Sequence, residues 1–517
     1  MRGATRPVSV RRMTDNTDGT RTNWDVIVIG GGPAGENAAQ YATQFSGLSA
    51  AMVEAELVGG ECSYWACMPS KGLLLPVELL DQARHLHGAA EAFGSARVDV
   101  DAVLARRDKI VSNLDDSGQV GWATGAGIDV VRGRGRLDGP KTVLVTAADG
   151  TETTLTANHA VVLATGTTAS VPPLPGMREA RPWISRDVTN IHEIPRRVVV
   201  VGGGVVACEA ATWLRGLGVD ELTIVQPGEL LVSRNEPWVS PILAKSFADA
   251  GVTVMLGKRV ESVSRPSVNT AGPGFIHGGE VSVTLDDGTV LTADELVVAV
   301  GRTPATRGLG LASVGLDVSS SHGYVEVDEH LTAKGVNGDW LYAVGDVNGV
   351  ALLTHMGKYQ ARLAGEVIAT RAAGSALEGA GFNIQTDVAS VTAVPQVMFT
   401  DPEVGSAGLT EQAARDRGID VETVEYDLAW VSGSTLLRDD YVGRANLVVD
   451  KASDTVVGAT FVGTGIQELV HSATTAIVGK VPVSVLWHVV PSYPTVSEIW
   501  LRLLETLQMQ RRKPAAG

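Results

Sequence analysis

The first predicted strand of the chain runs directly into a glycine-rich turn, and this junction restricts the possible folds more than any other feature. Residues 25–29 (Asp-Val-Ile-Val-Ile) predict a buried parallel strand, followed by an Ala-rich helix and a second strand over residues 48–53. The turn has the G-x-G-x-x-G spacing in Gly30, Gly32 and Gly35. Such glycines permit a tight turn, close approach of a pyrophosphate and close helix–strand packing. Glu54 follows where an acid binds ribose hydroxyls, so the segment predicts a dinucleotide-binding Rossmann unit.

A second unit of the same kind begins at residue 197. Four valines lead into the G-x-G-x-x-A sequence formed by Gly202, Gly204 and Ala207. The partner strand ends at Gln226, the position where an acid selects NAD or a nearby arginine accommodates the NADP phosphate. A glutamine can hydrogen-bond a ribose hydroxyl without repelling a 2′-phosphate, so both nicotinamide cofactors stay open. Two such units predict two dinucleotides in one chain.

A cysteine pair lies between the two units. Cys62 and Cys67 are two of the three cysteines among 517 residues, and they stand five positions apart shortly after Glu54. A cysteine pair next to a dinucleotide site indicates electron transfer between a cofactor and a disulfide. The alternative is a pair of buried cysteines acting as small hydrophobic residues. The third cysteine, Cys208, is expected to be an inert apolar residue.

The composition narrows the classes of partner. The chain has 42 basic and 58 acidic residues, a net charge of −16, which argues against nucleic acid or anionic membranes as main partners. No apolar run has the length of a membrane span. Three cysteines do not make a secreted disulfide scaffold, so a cytoplasmic location is favoured. Residues 1–23 contain several arginines and predict a disordered arm; a transit peptide is the weaker interpretation.

These motifs, taken in order, resemble the FAD-dependent pyridine nucleotide–disulfide oxidoreductases, a family that includes dihydrolipoamide dehydrogenase, glutathione reductase and mercuric reductase. The resemblance rests on seven segments: Gly59–Lys71, Ala164–Gly166, Gly202–Glu209, Gly301–Pro304, Ala343–Asp346, Phe399–Glu403 and Tyr493–Glu498. It implies an α/β fold with two doubly wound, Rossmann-like dinucleotide-binding domains and a C-terminal α+β dimerisation domain. The expected ranges are 24–185 and 313–384 for the FAD-binding domain, 186–312 for the NAD(P)-binding domain and 385–510 for the dimerisation domain.

The resemblance also implies roles for individual residues. Cys67 is expected next to the flavin, and Cys62 is expected to be the interchange thiol that meets the acceptor. Lys71 is expected near the flavin, paired with Glu209, although the two can also be a plain ion pair. The cofactors implied are FAD and NAD(P)H, and no metal site is predicted. The expected cofactor-binding residues are Gly30, Gly32, Gly35, Glu54, Thr165, Gly166, Gly202, Gly204, Gln226, Gly301, Arg302, Gly345 and Asp346, of which Asp346 binds the ribityl chain or caps a helix.

The dimer signature departs from the family pattern at one position. The family implies a homodimer in which Tyr493 and Glu498 reach the disulfide of the other subunit, although Tyr493 can also be interface packing. Disulfide reductases of the family carry His where this chain has Tyr493. A tyrosine titrates near 10 and an imidazole near about 6.5, so the usual base of the exchange step is missing. Mercuric reductase also carries Tyr there, but it uses a C-terminal cysteine pair, and this chain has no cysteine after Cys208.

The predicted function is transfer of electrons from NAD(P)H through FAD and the Cys62–Cys67 disulfide to a small disulfide acceptor. Tyr493 and the aromatic residues Tyr64 and Trp65 between the cysteines favour an alternative, an NAD(P)H-dependent quinone or metal-ion reductase. A redox sensor or a binding subunit is the third interpretation.

Overall fold

The computed structural model of the chain describes residues 21–269, 271–379 and 381–512. Its internal contacts divide the chain into two units. The first contains the segment that ends at Gly59 together with Asp116–Gly166 and Pro304–Thr386; the second contains Gly60–Asp115, Thr167–Thr303 and the chain from Asp387 onward. The predicted arm over residues 1–23 lies almost wholly outside the described residues.

The first unit is built on one seven-stranded sheet. Six strands lie in the spatial order Ile128–Arg132, Ala50–Glu54, Asn23–Ile29, Glu152–Leu163, Thr142–Thr146 and Arg134–Leu137, and Leu341–Ala343 pairs with Glu152–Leu163. The strand Glu152–Leu163 pairs in parallel with Asn23–Ile29 and Leu341–Ala343, and antiparallel with Thr142–Thr146. The carboxyl ends of the parallel strands therefore meet at one edge, which is where ligands bind in open α/β sheets.

The helices of the first unit cover this sheet. They are Pro33–Thr43, Ser117–Gly125 and Thr354–Ala372, with short 3₁₀ turns at Leu311–Val314 and Gly345–Asn348. Pro33 suits the first position of its helix because an N–H there would have no helical partner. Small residues let the first and last of these helices pack closely: a Cβ on Gly365 would lie 2.6 Å from the Cβ of Tyr41.

The second unit contains a parallel sheet and two antiparallel sheets. The parallel sheet has the order Val252–Leu256, Glu221–Gln226, Arg197–Val201 and Glu295–Val298. The antiparallel sheets have the orders Val260–Ser264, Val281–Leu285, Val290–Ala293 and Pro395–Met398, Glu403–Gly408, Thr455–Gly463, Arg444–Asp450, Val421–Asp427. Short strands also lie at Thr167–Ala169 and Arg302–Pro304. The valines of Arg197–Val201 are buried, as expected for a strand covered on both faces.

The helices of the second unit flank these sheets. They are Gly60–Tyr64, Cys67–Arg84, Ala90–Phe93, Val100–Ile110, Ser185–Thr189, Val205–Gly216, Val239–Asp249, Ala389–Thr392, Glu411–Asp416, Ser432–Thr435, Leu469–Val478, Val483–Leu486 and Ile499–Arg512. Turns of 3₁₀ helix lie at Ser112–Leu114, Leu428–Trp430 and Val496–Glu498.

The segment 265–279 is rich in glycine and proline, a composition that predicts a surface loop, but its residues Arg265 and His277 are buried. Arg265 and Glu295 form an ion pair whose two side chains are both 0% exposed. The backbone N–H of His277 donates to Glu295 at 2.8 Å. The buried Glu295 explains the difference, because a buried carboxylate requires charged and polar partners and the loop provides them.

The predicted fold class is confirmed: two Rossmann-like sheets, the first mixed and the second parallel, and a C-terminal α+β domain. Of the helices that the structure describes, none combines the length and the apolar character needed to cross a membrane.

Candidate active site

The two cysteines lie on consecutive helices with a break between them. Cys62 belongs to the five-residue helix Gly60–Tyr64, and Cys67 is the first residue of Cys67–Arg84. The chain changes direction at Ala66, whose φ and ψ of −138° and −95° are not helical. Both cysteines are half-buried. A sulfur at the first position of an 18-residue helix is close to unpaired backbone N–H groups, which favour a thiolate.

Lys71 lies one helical turn after Cys67 and is paired with a buried carboxylate. Its Nζ is 2.7 Å from Glu209 Oε2, and the Glu209 side chain is 6% exposed. The other carboxylate oxygen accepts a hydrogen bond of 3.0 Å from the backbone N–H of Phe399. Lys71 Nζ also lies 4.7 Å from the centre of the Phe399 ring. Phe399 therefore contacts both members of the pair, a role that its place in a sequence motif does not reveal.

The residues around the cysteine pair form a second ion pair. Arg186 Nε donates to Glu61 Oε1 at 2.6 Å, and the guanidinium carbon lies 4.1 Å from the centre of the Trp65 ring. Tyr64 is 1% exposed and packs in the interior, while Trp65 is half-buried. The Arg186 guanidinium therefore covers one face of the Trp65 ring, which lies between the two cysteines in the sequence.

Tyr493 and Glu498 differ in their surroundings. The Tyr493 side chain is exposed, whereas Glu498 is buried. Glu498 Oε1 accepts a hydrogen bond of 2.5 Å from Arg502 Nη2, and within the described residues its Oε2 has no hydrogen-bond partner. Glu505 and Glu498 together raise the pKa of Arg502. Arg502 was missed by the sequence analysis, although it follows Glu498 by four residues where the last helix begins, and this spacing is a recognisable signal.

The first glycine turn has the geometry of a dinucleotide cradle. Gly30 has a φ of +107°, and a Cβ there would lie 2.4 Å from the carbonyl oxygen of Ala164. A Cβ on Gly35 would lie 1.9 Å from the carbonyl oxygen of Gly30. Gly32 precedes the helix in extended conformation. Glu54 Oε2 accepts a 2.6 Å hydrogen bond from the Gly31 N–H, which holds the carboxylate against the turn.

Other predicted flavin-site residues lie in the same unit. The Thr165 hydroxyl is buried and has no hydrogen-bond partner within the described residues, and Gly166 has a φ of +66°. The Gly345 N–H donates to Gln360 Oε1 at 2.9 Å, and Asp346 follows in the short helix Gly345–Asn348. A buried hydroxyl that lacks a partner among the described residues and a turn whose positive φ favours glycine fit a bound dinucleotide, so these residues are suited to FAD.

The sequence analysis did not identify Glu36, a titratable group in the first turn of the helix Pro33–Thr43. Burial raises its pKa to about 7, while the charge of Lys358 acts in the opposite direction. A carboxyl that is partly neutral at pH 7 repels an anionic phosphate less than an ionised one does.

The second glycine turn repeats the geometry of the first. Gly202 has a φ of +116°, and a Cβ there would lie 2.3 Å from the carbonyl oxygen of Ala299. Gly204 precedes its helix in extended conformation. Gln226 Nε2 donates to the carbonyl oxygen of Leu230 at 3.2 Å, which leaves the amide oxygen as the group able to accept from a ribose hydroxyl.

In the segment Gly301–Pro304, Arg302 forms hydrogen bonds with Thr167. Gly301 has a φ of +132°. Arg302 donates to the hydroxyl and the carbonyl oxygen of Thr167 at 2.7 and 2.6 Å. The Arg302 guanidinium therefore holds the backbone of residue 167, a role that its motif does not predict.

The third cysteine lies in the interior. Cys208 is fully buried, and desolvation raises the pKa of its thiol to about 12, with a smaller contribution from Glu209. The thiolate is therefore inaccessible at neutral pH, as expected for an inert residue.

The chain matches two family descriptions and several characterised proteins. Residues 24–364 match "Pyridine nucleotide-disulphide oxidoreductase", and residues 394–503 match the dimerisation domain of the same name. A dihydrolipoyl dehydrogenase from Chlorobaculum tepidum is 31% identical over 93% of this chain and 96% of its own length. A mercuric reductase from Staphylococcus aureus is 29% identical over 89% of this chain and 78% of its own length.

Two solved structures share the fold. The HOCl-induced flavoprotein disulfide reductase RclA from Escherichia coli, in its Cu(II) complex, has a TM-score of 0.77 at 23% identity, covering 94% of this chain and 99% of that one. LpdA from Mycobacterium tuberculosis has a TM-score of 0.77 at 22% identity, covering 94% of this chain and 100% of that one.

Proposed function

The chain belongs to the pyridine nucleotide-disulphide oxidoreductase family, and we propose that Cys62 and Cys67 form its redox-active disulfide and reduce a small disulfide acceptor. The protein is an FAD-dependent NAD(P)H oxidoreductase of the disulfide reductase type. The match to a dimerisation domain supports a homodimer. We further propose a cytoplasmic location, FAD binding by residues 24–185 and 313–384, NAD(P) binding by residues 186–312 and dimerisation through residues 385–510.

The observation that carries the proposal is the position of Lys71. It stands one turn after Cys67 and is held by the buried carboxylate of Glu209 at 2.7 Å. A fixed cation one helical turn after a cysteine favours the thiolate that disulfide exchange requires. Two cysteines with a purely packing role do not need such a cation.

The chain's own residues account for the thiol steps. Bound FAD would supply two electrons that derive from the hydride of NAD(P)H. Together with two protons, one from the hydride and one from solvent, they would break the Cys62–Cys67 bond and leave two thiols. The Cys62 thiolate then attacks the acceptor disulfide, releasing one thiolate and forming a mixed disulfide. Cys67 attacks Cys62, releases the second thiolate and restores the original bond.

Proton transfer is the step for which the chain differs from its family. In the proposed homodimer, Tyr493 and Glu498 contribute to the disulfide of the other subunit. Tyr493 can donate a proton to a departing thiolate, but a phenol is less suited than an imidazole to act as a general base at neutral pH. This difference favours a second candidate function, reduction of a quinone or a metal ion, which does not require a base for the interchange thiol.

Steady-state oxidation of NADH and NADPH with a panel of acceptors tests the proposal. The panel contains oxidised glutathione, lipoamide, a benzoquinone, Cu(II) and Hg(II). We expect turnover with at least one disulfide, and its loss in Cys62→Ser and Cys67→Ser but not in the matched control Cys208→Ser. Turnover only with the quinone or the metal ions selects the second function. Negligible turnover with every acceptor contradicts both and leaves a redox sensor or a binding subunit.

A further inference from the structure

We propose that Arg186 is a positioning residue for the redox pair: it holds the segment between Cys62 and Cys67 and thereby favours the disulfide over the two thiols. The inference rests on the proposed function, because it assumes that these two cysteines form a disulfide. It assigns a role to a residue that lies outside every sequence motif of the chain and far from the cysteines in sequence.

Arg186 holds two residues that flank the cysteines. Its Nε donates to Glu61, the residue before Cys62, at 2.6 Å. Its guanidinium carbon lies 4.1 Å from the ring centre of Trp65, two residues before Cys67. A single planar cation therefore contacts both ends of the short segment that separates the two sulfurs.

The held residues also contact each other through the backbone. The Trp65 N–H donates to the Glu61 carbonyl oxygen at 2.8 Å, so the two side chains lie one helical turn apart on the same side. The chain leaves this turn at Ala66, whose backbone is not helical. The turn would unwind readily without a contact outside it, because a five-residue helix is not stable alone.

The helix that carries Arg186 is fixed independently of that side chain. The fully buried Arg107 donates to the carbonyl oxygens of Thr189 and Ile191, which follow Arg186. Asp187 Oδ2 accepts from the Ile184 N–H at 2.9 Å. The Thr189 hydroxyl donates to the Trp65 carbonyl oxygen at 3.0 Å. Removal of the Arg186 side chain is therefore expected to release Glu61 and the Trp65 ring, while the helix Ser185–Thr189 stays in place.

Releasing the segment changes the balance between disulfide and dithiol. A loosened segment lowers the effective concentration of one sulfur at the other, because more conformations keep them apart. The dithiol can adopt these additional conformations, but the disulfide cannot, because its covalent bond holds the two sulfurs together. The dithiol is therefore stabilised relative to the disulfide. We expect the equilibrium constant for disulfide formation to fall about tenfold in Arg186→Ala, equivalent to about 30 mV for a two-electron couple.

The variant Arg186→Lys distinguishes the ion pair with Glu61 from the stacking on the Trp65 ring. It keeps a positive charge near Glu61 but lacks the flat guanidinium that stacks on an indole ring and forms directed hydrogen bonds. Arg186→Lys should therefore give a shift between those of wild type and Arg186→Ala. Glu61→Gln removes only the charge of the ion pair, and its expected shift is about threefold.

The experiment measures the redox equilibrium of the pair in the FAD-loaded holoenzyme. Wild type and variants are equilibrated anaerobically in dithiothreitol buffers of graded ratio, quenched with an alkylating agent and mapped by peptide mass spectrometry. Arg196→Ala is the matched control, because Arg196 is 83% exposed and pairs with Asp220 on the surface at 3.1 Å. Its midpoint should equal that of wild type.

The outcomes separate this inference from the proposed function. A midpoint in Arg186→Ala within twofold of wild type overturns the role of Arg186. If Arg186→Ala does not retain FAD, Glu61→Gln decides, and an unshifted midpoint there has the same meaning. If wild type forms no Cys62–Cys67 disulfide in any buffer, the proposed function itself is wrong.

Discussion

The Lys71 ammonium lies 2.7 Å from the Glu209 carboxylate, and this contact joins the helix that begins at Cys67 to the helix of the second glycine turn. The backbone N–H of Phe399 donates to the same carboxylate. The charge one helical turn after Cys67 is therefore held by a buried carboxylate that also accepts a hydrogen bond from a distant part of the chain.

Replacing Lys71 should affect stability more than replacing an exposed lysine. Lys71→Met leaves Glu209 buried without its cation, which is expected to lower the free energy of unfolding by about 1–3 kcal/mol. The matched control is Lys245→Met, since Lys245 pairs with Asp249 at 2.6 Å but both side chains are mostly exposed. Exposed pairs contribute about 0–1 kcal/mol. Urea unfolding measures both, and equal losses would contradict a special environment for Lys71.

A methyl group at the first glycine turn should abolish flavin binding. Gly30→Ala places a Cβ 2.4 Å from the carbonyl oxygen of Ala164 at a φ of +107°. The control is Gly118→Ala in the helix Ser117–Gly125, where a Cβ meets no heavy atom within 4 Å among the described residues. Absorbance near 450 nm per chain should fall at least tenfold in the first variant only. Full flavin content in Gly30→Ala would show that the turn does not hold FAD.

The raised pKa of Glu403 predicts that the free energy of unfolding depends on pH. Burial raises its pKa from 4.5 to about 7, and Glu78 acts in the same direction. The folded carboxyl keeps its proton where the unfolded one has lost it, so this group makes the free energy of unfolding fall as pH rises from about 4.5 to about 7.

Glu403→Gln removes that titration and keeps an oxygen to accept from the Ile466 and Gln467 N–H groups. Relative to wild type, the variant should gain about 1–3 kcal/mol between pH 5 and pH 8. Unfolding at both pH values measures the gain, with the exposed Glu179→Gln as control. A difference between Glu403→Gln and wild type that does not change with pH would be inconsistent with a raised pKa.

Restoring a histidine at position 493 distinguishes between the two candidate functions. Tyr493→His supplies a group that titrates near about 6.5, and general bases contribute about 10²–10⁴-fold. If the acceptor is a disulfide, kcat/KM for that disulfide should rise at least tenfold at pH 7.5, while the value for a quinone stays within twofold. Tyr493→Phe controls for loss of the hydroxyl. A rise for both acceptors alike would exclude base catalysis of thiol exchange.

The sequence predicted the parts of the fold whose pattern is local. The valine strand before Gly202 and the turn from Gly30 to Gly35 are fixed by strand composition and glycine spacing, and the structure contains both. The strand Glu403–Gly408 was missed, because two glycines and an acid are untypical of strands. It forms because it pairs on both sides, with Pro395–Met398 and Thr455–Gly463.

Sequence patterns could not predict which distant residues contact each other at the candidate site. Phe399 contacts Lys71 across more than three hundred positions, and Arg186 reaches Glu61 across 125. Such contacts depend on how distant segments pack, and no periodicity or spacing encodes them. The roles of the site residues stay predictions for the experiments above.

Counting thiols before and after reduction by the cofactor shows whether Cys62 and Cys67 form a disulfide that NAD(P)H reduces. Holoenzyme is treated anaerobically with NADH or NADPH, alkylated under native conditions and mapped by mass spectrometry, with Cys208 as an internal control because it is fully buried. We expect Cys62 and Cys67 to become alkylated only after reduction, while Cys208 stays unmodified until the protein unfolds. Alkylation of Cys62 and Cys67 that does not change when NADH or NADPH is added would contradict it.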